Sequence, residues 1–218
     1  MRNFSKRPVS RQFGFDRGQP IDRYFIERFL KEKKHFIKGK VLEIGENRYT
    51  EQFGDQIERS DVFDIDRYPG VTITGNLETG ENVPDSEYDC FILTQVIHII
   101  YDFKQALRNA LKTLKPGGVL LVTFPGLSQS CKTKEYGDYW RFTRMAIERF
   151  FYEIETVGEM AIETYGNLGI AQAFLEGRAV HEIPRSLFAY NDPRYEVIHM
   201  AAITKKDPYS HSSGEEHE

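Results

Sequence analysis

Cysteine is scarce in this 218-residue chain, which holds only Cys90 and Cys131. Two cysteines make no disulfide framework, and their spacing matches no metal-ligand pattern. Cys90 sits in an apolar run and reads as a small buried residue. Long apolar runs are missing too, since no segment approaches the roughly 18 residues of a membrane-crossing helix. Met1 to Pro8 is basic and polar, unlike a signal peptide. Positive charge is not in excess: 29 Lys and Arg against 33 Asp and Glu leave a net charge of −4. That balance argues against nucleic acid as the main partner. Internal repeats are absent, and so is the Gly-x-Gly-x-x-Gly fingerprint that a nicotinamide-dependent oxidoreductase would want after its first strand. With 40% hydrophobic residues, the expectation is one sizeable domain in a soluble cytoplasmic protein without a membrane partner.

What is present centres on Val41-Leu42-Glu43-Ile44-Gly45-Glu46-Asn47-Arg48-Tyr49. A short aliphatic run ends in an acid and a single glycine, as a first strand does when it delivers its carboxyl end to a nucleotide-like ligand. The glycine admits close backbone approach. Before it, Pro20 opens an amphipathic helix from Ile21 to about Ile37, with Ile21, Phe25, Phe29 and Leu30 at helical spacing. Arg17, Arg23 and Arg28 on this arm are compatible with a cap over a substrate; a helix packed on the sheet edge is the other reading.

After the opening strand, Tyr49 to Ile57 reads as a short helix and Ser60 to Asp66 as a strand ending in acids. Val71 to Thr74 and Tyr88 to Leu93 read as further strands, the latter apolar enough to be fully buried. Asp102 to Leu114 has one apolar helical face. Lys115-Pro116-Gly117-Gly118 stops it before a strand from Val119 to Phe124. Thr143 is placed to cap a helix from Arg144 to Phe151. Ile154 to Val157 and Ala161 to Tyr165 suggest a strand pair or a bent strand, Gly169 to Glu176 a helix and Tyr195 to Ile203 a last strand. Such alternation marks an α/β fold with a largely parallel sheet. The charged, serine-rich tail from Lys205 has the composition of a disordered segment.

The crevice of such a sheet lies outside the carboxyl ends of its central strands. That criterion gathers Glu43, Gly45, Glu46, Asp64, Asp66, Asn76, Thr94, Gln95 and Pro125. An acid ending the second strand is well placed for both ribose hydroxyls, with Asp64 the first choice and Asp66 the second.

Val41-Leu42-Glu43-Ile44-Gly45, Phe63-Asp64-Ile65-Asp66, Gly75-Asn76-Leu77, Tyr88 to Gln95 and Leu114-Lys115-Pro116-Gly117-Gly118-Val119-Leu120-Leu121 occur in that order. This succession resembles class I S-adenosylmethionine-dependent methyltransferases, most closely the methyltransferase type 11 group. Gly137-Asp138-Tyr139-Trp140-Arg141-Phe142-Thr143, with Phe13 to Gly18 and Ile21 to Tyr24, resembles a subgroup met beside glycosyltransferase and polysaccharide genes. The resemblance implies a Rossmann-like fold: a mostly parallel seven-stranded sheet, helices on both faces and an antiparallel last strand. It also implies an N-terminal arm and cap helix over residues 1–37, a methyltransferase domain over 38–204 and a tail over 205–218.

The implied cofactor is S-adenosyl-L-methionine. Glu43 and Gly45 match the loop at its amino-acid end, with Glu46 next to them in the expected cofactor site where the family has other residues, and Asp64, with Asp66 beside it, matches the ribose site. Asn76 stands where the family usually has an aspartate facing the adenine amino group, a bond an asparagine oxygen can still accept. Thr94 and Gln95 flank the methyl donor. The family's loop carries two more glycines than this one, which narrows the backbone approach here.

Methyl transfer relies on positioning, and a hydroxyl acceptor also needs a base. His98, four residues past Thr94, is the candidate for that base or for an acceptor-orienting role; packing under the next helix is its alternative. Asp102 fits a helix cap better. Arg17, Tyr101, Tyr139, Trp140 and Arg141 are candidate acceptor contacts, because aromatics stack on sugars and arginine grips anions. Asn191-Asp192-Pro193-Arg194 is a poor match to the Asn-Pro-Pro-aromatic signature of nucleic-acid amino methylases and reads as a turn. The expected function is therefore methylation of a small molecule, with a sugar or glycan precursor in view. The thinned glycine loop supplies the alternative, a non-catalytic interaction protein on the same fold.

Overall fold

A computed structural model describes residues 6–131 and 137–207. Nearly all of the tail expected to be disordered falls outside these residues. The elements run α1 (Ile21–Glu32), β1 (Gly39–Ile44), α2 (Arg48–Phe53), β2 (Ile57–Asp64), β3 (Ile73–Thr74), β4 (Tyr88–Leu93), α3 (Phe103–Lys112), β5 (Leu114–Pro125), α4 (Arg144–Tyr152), β6 (Val157–Tyr165), α5 (Leu168–Leu175), α6 (Ser186–Ala189) and β7 (Ile198–Lys205). They form a seven-stranded sheet in the order β3-β2-β1-β4-β5-β7-β6. The pairs from β3 across to β5 are parallel, and β7 lies antiparallel between β5 and β6. This is the Rossmann-like arrangement that the sequence implied.

Alternation along the strands explains why both faces are covered. Val41, Cys90, Ile92, Val119, Leu121, Met200 and Ala202 point to one face, where α1 and α5 add Phe25, Phe29, Leu30, Ile170 and Phe174. Their neighbours Leu42, Phe91, Leu93, Leu120, Val122, Ala201 and Ile203 point to the other, against Leu107 and Leu111 of α3 and Phe150 and Phe151 of α4. Burying one such side chain stabilises the fold by about 1.5–3 kcal/mol, so the central strands anchor everything at their ends. Phe25 also stacks on Tyr165 with centroids 5.0 Å apart, fixing α1 beside the end of β6.

Several boundaries differ from the sequence expectation. The first helix ends at Glu32, because Lys33 leaves helical geometry and Lys34–Phe36 tighten into a 3-10 turn. The first crossover helix stops at Phe53, and Ile57 instead opens β2. β5 begins ahead of the proline-glycine-glycine turn, which it absorbs as an irregularity against β4. There the Lys115 ammonium bonds both Asp89 oxygens at 2.7 and 2.8 Å, and Asp89 also accepts the Lys40 amide. This turn therefore clamps the amino ends of β1 and β4, the side of the sheet opposite the crevice. Of the strand pair and the bent strand, the single strand is found: β6 starts at Val157 and has a register shift near its start. Asp102 caps α3 by accepting the Gln105 amide, and Thr143 caps α4 by accepting the Ala146 amide.

Candidate active site

Strand order reverses between β1, which leads to β2 and β3, and β4, which leads to β5. Two cavities lie at that switch point, where a ligand of an open α/β sheet belongs. The larger, about 550 Å³, is lined by Glu43, Gly45 and Glu46 after β1, Thr94, Gln95 and His98 after β4, and Asp22 and Arg23 of α1. The smaller, about 290 Å³, takes in Asp64, Gly75, Asn76 and Glu78. Ile44, the last residue of β1, lines both.

Glu43 is 1% exposed and fully engaged. One carboxylate oxygen accepts the Tyr49 amide at 2.9 Å; the other accepts the Thr50 amide and hydroxyl, each at 2.7 Å. Burial raises its pKa above the usual carboxylate range, against the pull of those three bonds. The residue thus ties the end of β1 to the first turn of α2. Gly45 is left-handed, at φ +77°. A Cβ there would lie 3.8 Å from both an Asp64 oxygen and the Tyr68 hydroxyl, in van der Waals contact with the Asp64 carboxylate.

Asp64 ends β2 with both oxygens turned to local donors. The Asp66 amide reaches one at 2.9 Å, and the Tyr68 hydroxyl lies 2.9 Å from the other and 2.6 Å from the Gly45 carbonyl. Asp66 itself lines neither cavity. Asn76 lines the smaller one, while its side-chain oxygen accepts the Glu78 and Thr79 amides of its own turn at 2.8 and 3.3 Å. Gln95 adopts φ +55°. Its amide bonds the Thr123 hydroxyl at 2.9 Å and its side chain donates to Asp22 at 2.8 Å.

His98 lies in the 3-10 turn Ile97–Ile99. Its Nδ1 is buried and has no hydrogen-bond partner among the described residues, an arrangement that carries a cost. Burial, aided by the Arg141 charge and opposed by Asp138, pushes its pKa down to about 4. The imidazole is therefore neutral and unprotonated at Nδ1 or Nε2 through the physiological range.

Other expected contacts stand outside the larger cavity. Arg17 forms a bidentate pair with Glu182. Tyr101 and Tyr139 are 65% and 52% exposed and meet edge to face at 5.3 Å. Trp140 donates its indole N–H to the Ile100 and Tyr101 carbonyls, and Arg141 pairs with Asp138 and reaches the Gln129 carbonyl. The Tyr139 and Trp140 amides both bond the His98 carbonyl, at 2.9 and 3.2 Å. This block braces the strap that carries the histidine.

The reading from sequence passed over Asp22, Tyr49, Tyr68, Phe174 and Cys131 as cavity residues, along with Phe13 and Phe15 of the arm. Only the arm offered a signal, in its aromatics and the adjacent Asp22-Arg23.

Comparison with known proteins decides the family. A methyltransferase domain model matches residues 21–166, which is more than half the chain. The chain belongs to that methyltransferase family. No curated protein matches the sequence. Among solved structures, a SAM dependent methyltransferase from Archaeoglobus fulgidus superposes with a TM-score of 0.52 at 11% identity, over 84% of this chain and 94% of the other. The complex of the Haloferax volcanii Trm112 methyltransferase activator with a methyltransferase gives 0.53 at 15%, over 93% and 100%. The cyclase SpnF gives 0.55 at 12%, over 87% and 83%. At such identities the likeness is one of fold, and a cyclase among the neighbours shows that the fold alone does not name a reaction.

The residues present fit a nucleoside-bearing methyl donor. The Gly45 cradle, which a Cβ would fill, faces the Asp64 carboxylate, and an acid at the end of β2 suits ribose hydroxyls. Asn76 and the apolar Val96, Ile99 and Ile100 of the smaller cavity suit a flat base.

Proposed function

We propose that this protein transfers a methyl group from S-adenosylmethionine to a small molecule, with a sugar or glycan precursor as the leading acceptor class. The observation that carries the reading is the pair of cavities that share Ile44 in their walls, with Asp64 lining one and His98 the other. When bound, S-adenosylmethionine supplies a methyl carbon made electrophilic by its sulfonium.

The chain's own residues do the rest. Asp64 accepts the ribose hydroxyls and Asn76 borders the adenine. Glu43 holds the β1 turn in place, and Thr94 and Gln95 border the transfer point. His98, which lines the cavity, receives the acceptor's proton on its imidazole. A base whose pKa is so depressed is always in its receptive form but weak, so it acts as charge leaves the acceptor oxygen, with the nearby Asp138 favouring the imidazolium. Phe13, Phe15, Ile26 and Phe174 give the cavity an apolar wall. Support for a carbohydrate comes from the Tyr139-Trp140-Arg141 block and the exposed Tyr101 and Tyr139 rings near the His98 strap, since aromatic faces stack on sugars. In this reading the two tyrosines form an outer rim, while Trp140 and Arg141 position His98.

The test is incubation of the purified protein with isotopically labelled S-adenosylmethionine and a panel of sugars and nucleotide sugars, followed by mass spectrometry. Label in a carbohydrate is the expected result. Label in a non-carbohydrate small molecule would overturn the sugar assignment, and saturable cofactor binding with no transfer to any acceptor would overturn the catalytic reading.

A further inference from the structure

Cofactor binding at this site raises a question of charge at its amino-acid end. A glycine-rich loop commonly meets an anionic group with unengaged backbone N–H donors. Here the Gly45 amide bonds the Phe63 carbonyl at 3.0 Å, and the Glu46 amide bonds Ile44 at 2.9 Å. The Tyr49 and Thr50 amides go to Glu43. The side chains that this wall adds to the cavity include two more acids, Glu43 and Glu46. From Gly45 to Thr50 that leaves the Asn47 and Arg48 amides, beside two acids, to meet a carboxylate.

The facing wall is built differently. Arg23, in the first turn of α1, lines the same cavity, with its guanidinium carbon 5.3 Å from the centre of the Phe15 ring. Among the described residues it forms no ion pair, whereas Arg17 and Arg28 on the same arm are paired with Glu182 and Glu32. Beside it, Asp22 is half-buried and held from two sides, by the Arg23 amide at 2.8 Å and by the Gln95 side chain at 2.8 Å. A carboxylate offers about four acceptor positions, so two remain for a ligand. Gln95 is itself pinned to Thr123, so the acid is linked through it to β5.

We propose that Asp22 and Arg23 form a clamp for a zwitterion, Arg23 taking the α-carboxylate and Asp22 the α-ammonium of the methyl donor's amino-acid end. The clamp rests on the S-adenosylmethionine reading. It makes the cap helix part of the cofactor site and sets a cation and an anion beside the loop after β1.

Calorimetry on the full chain tests it with two ligands. S-adenosylhomocysteine carries the amino-acid end; methylthioadenosine keeps the nucleoside and thioether without it. Arg23→Ala and Asp22→Asn should each weaken S-adenosylhomocysteine about tenfold or more, as loss of a charged hydrogen bond does. Both variants should bind methylthioadenosine within about twofold of wild type, which also shows that they are folded. Arg23→Lys should fall between, because it keeps the charge and loses the planar fork. Unchanged S-adenosylhomocysteine binding in Arg23→Ala would overturn the clamp, and so would equal losses for both ligands. Wild-type protein that binds the two ligands equally well would overturn the clamp and leave the cofactor reading standing. Wild-type protein that binds neither would overturn both.

Discussion

His199 is buried and His98 half-buried, and in both burial lowers the pKa. Only one is satisfied. His199 lies on β7 with both ring nitrogens engaged, Nδ1 2.9 Å from the Thr164 hydroxyl and Nε2 3.0 Å from the Phe142 carbonyl. Because that carbonyl can only accept, Nε2 carries the proton and Nδ1 accepts from threonine. The ring stitches β7 to β6 and to the segment before α4. His98 is neutral for the same reason but lines a cavity and keeps a buried Nδ1 with no partner among the described residues. A depressed pKa alone does not separate a structural histidine from a working one; the state of its hydrogen bonds does.

The contrast can be broken by mutation. The largest effect is expected from His199→Ala, which orphans Thr164 and Phe142 and opens a cavity, costing about 3 kcal/mol in urea denaturation. His98→Ala should instead leave stability within about 1 kcal/mol and S-adenosylhomocysteine affinity unchanged, while turnover falls at least about tenfold. If His98→Ala destabilised the fold as much as His199→Ala, the distinction between them would fail.

Acid sharpens the same comparison. An unfolded histidine binds its proton near 6.5, and folded His98 only near about 4. Between those values the unfolded chain binds more protons, so stability drops as pH falls through the window. His98→Asn should reduce that loss by about 1–2 kcal/mol between pH 6.5 and about pH 5, measured as a shallower dependence of unfolding free energy on pH. A smaller contrast of the same kind lies at the end of β2. Asp64→Asn should weaken S-adenosylhomocysteine about tenfold, and Asp66→Asn, whose side chain lines neither cavity, should not change it measurably.

The sheet was legible in the sequence because buried parallel strands are continuous apolar runs and their order follows from the crossovers. Val41 to Ile44, Tyr88 to Leu93 and Val119 to Phe124 all lie within observed strands. Boundaries were less legible where tertiary partners override local signals. Nothing local says that Lys115 to Gly118 continues a strand; its anchor is Asp89, 26 residues earlier. At the site, strand-end acids such as Glu43 and Asp64 could be listed from position alone. Their roles could not, since Glu43 proves to be occupied by α2. Tyr68 and Asp22 acquire meaning only through Gly45 and Gln95, residues distant in the chain. The braced position of His98 likewise depends on a block some forty residues later.

The central claim is that the two cavities flanking Ile44 form a methyl-donor site. Titration of the purified protein with S-adenosylhomocysteine by calorimetry tests it most directly. Saturable one-to-one binding that weakens in Asp64→Ala is the predicted result. No heat of binding at millimolar ligand, or binding indifferent to Asp64→Ala, would contradict it.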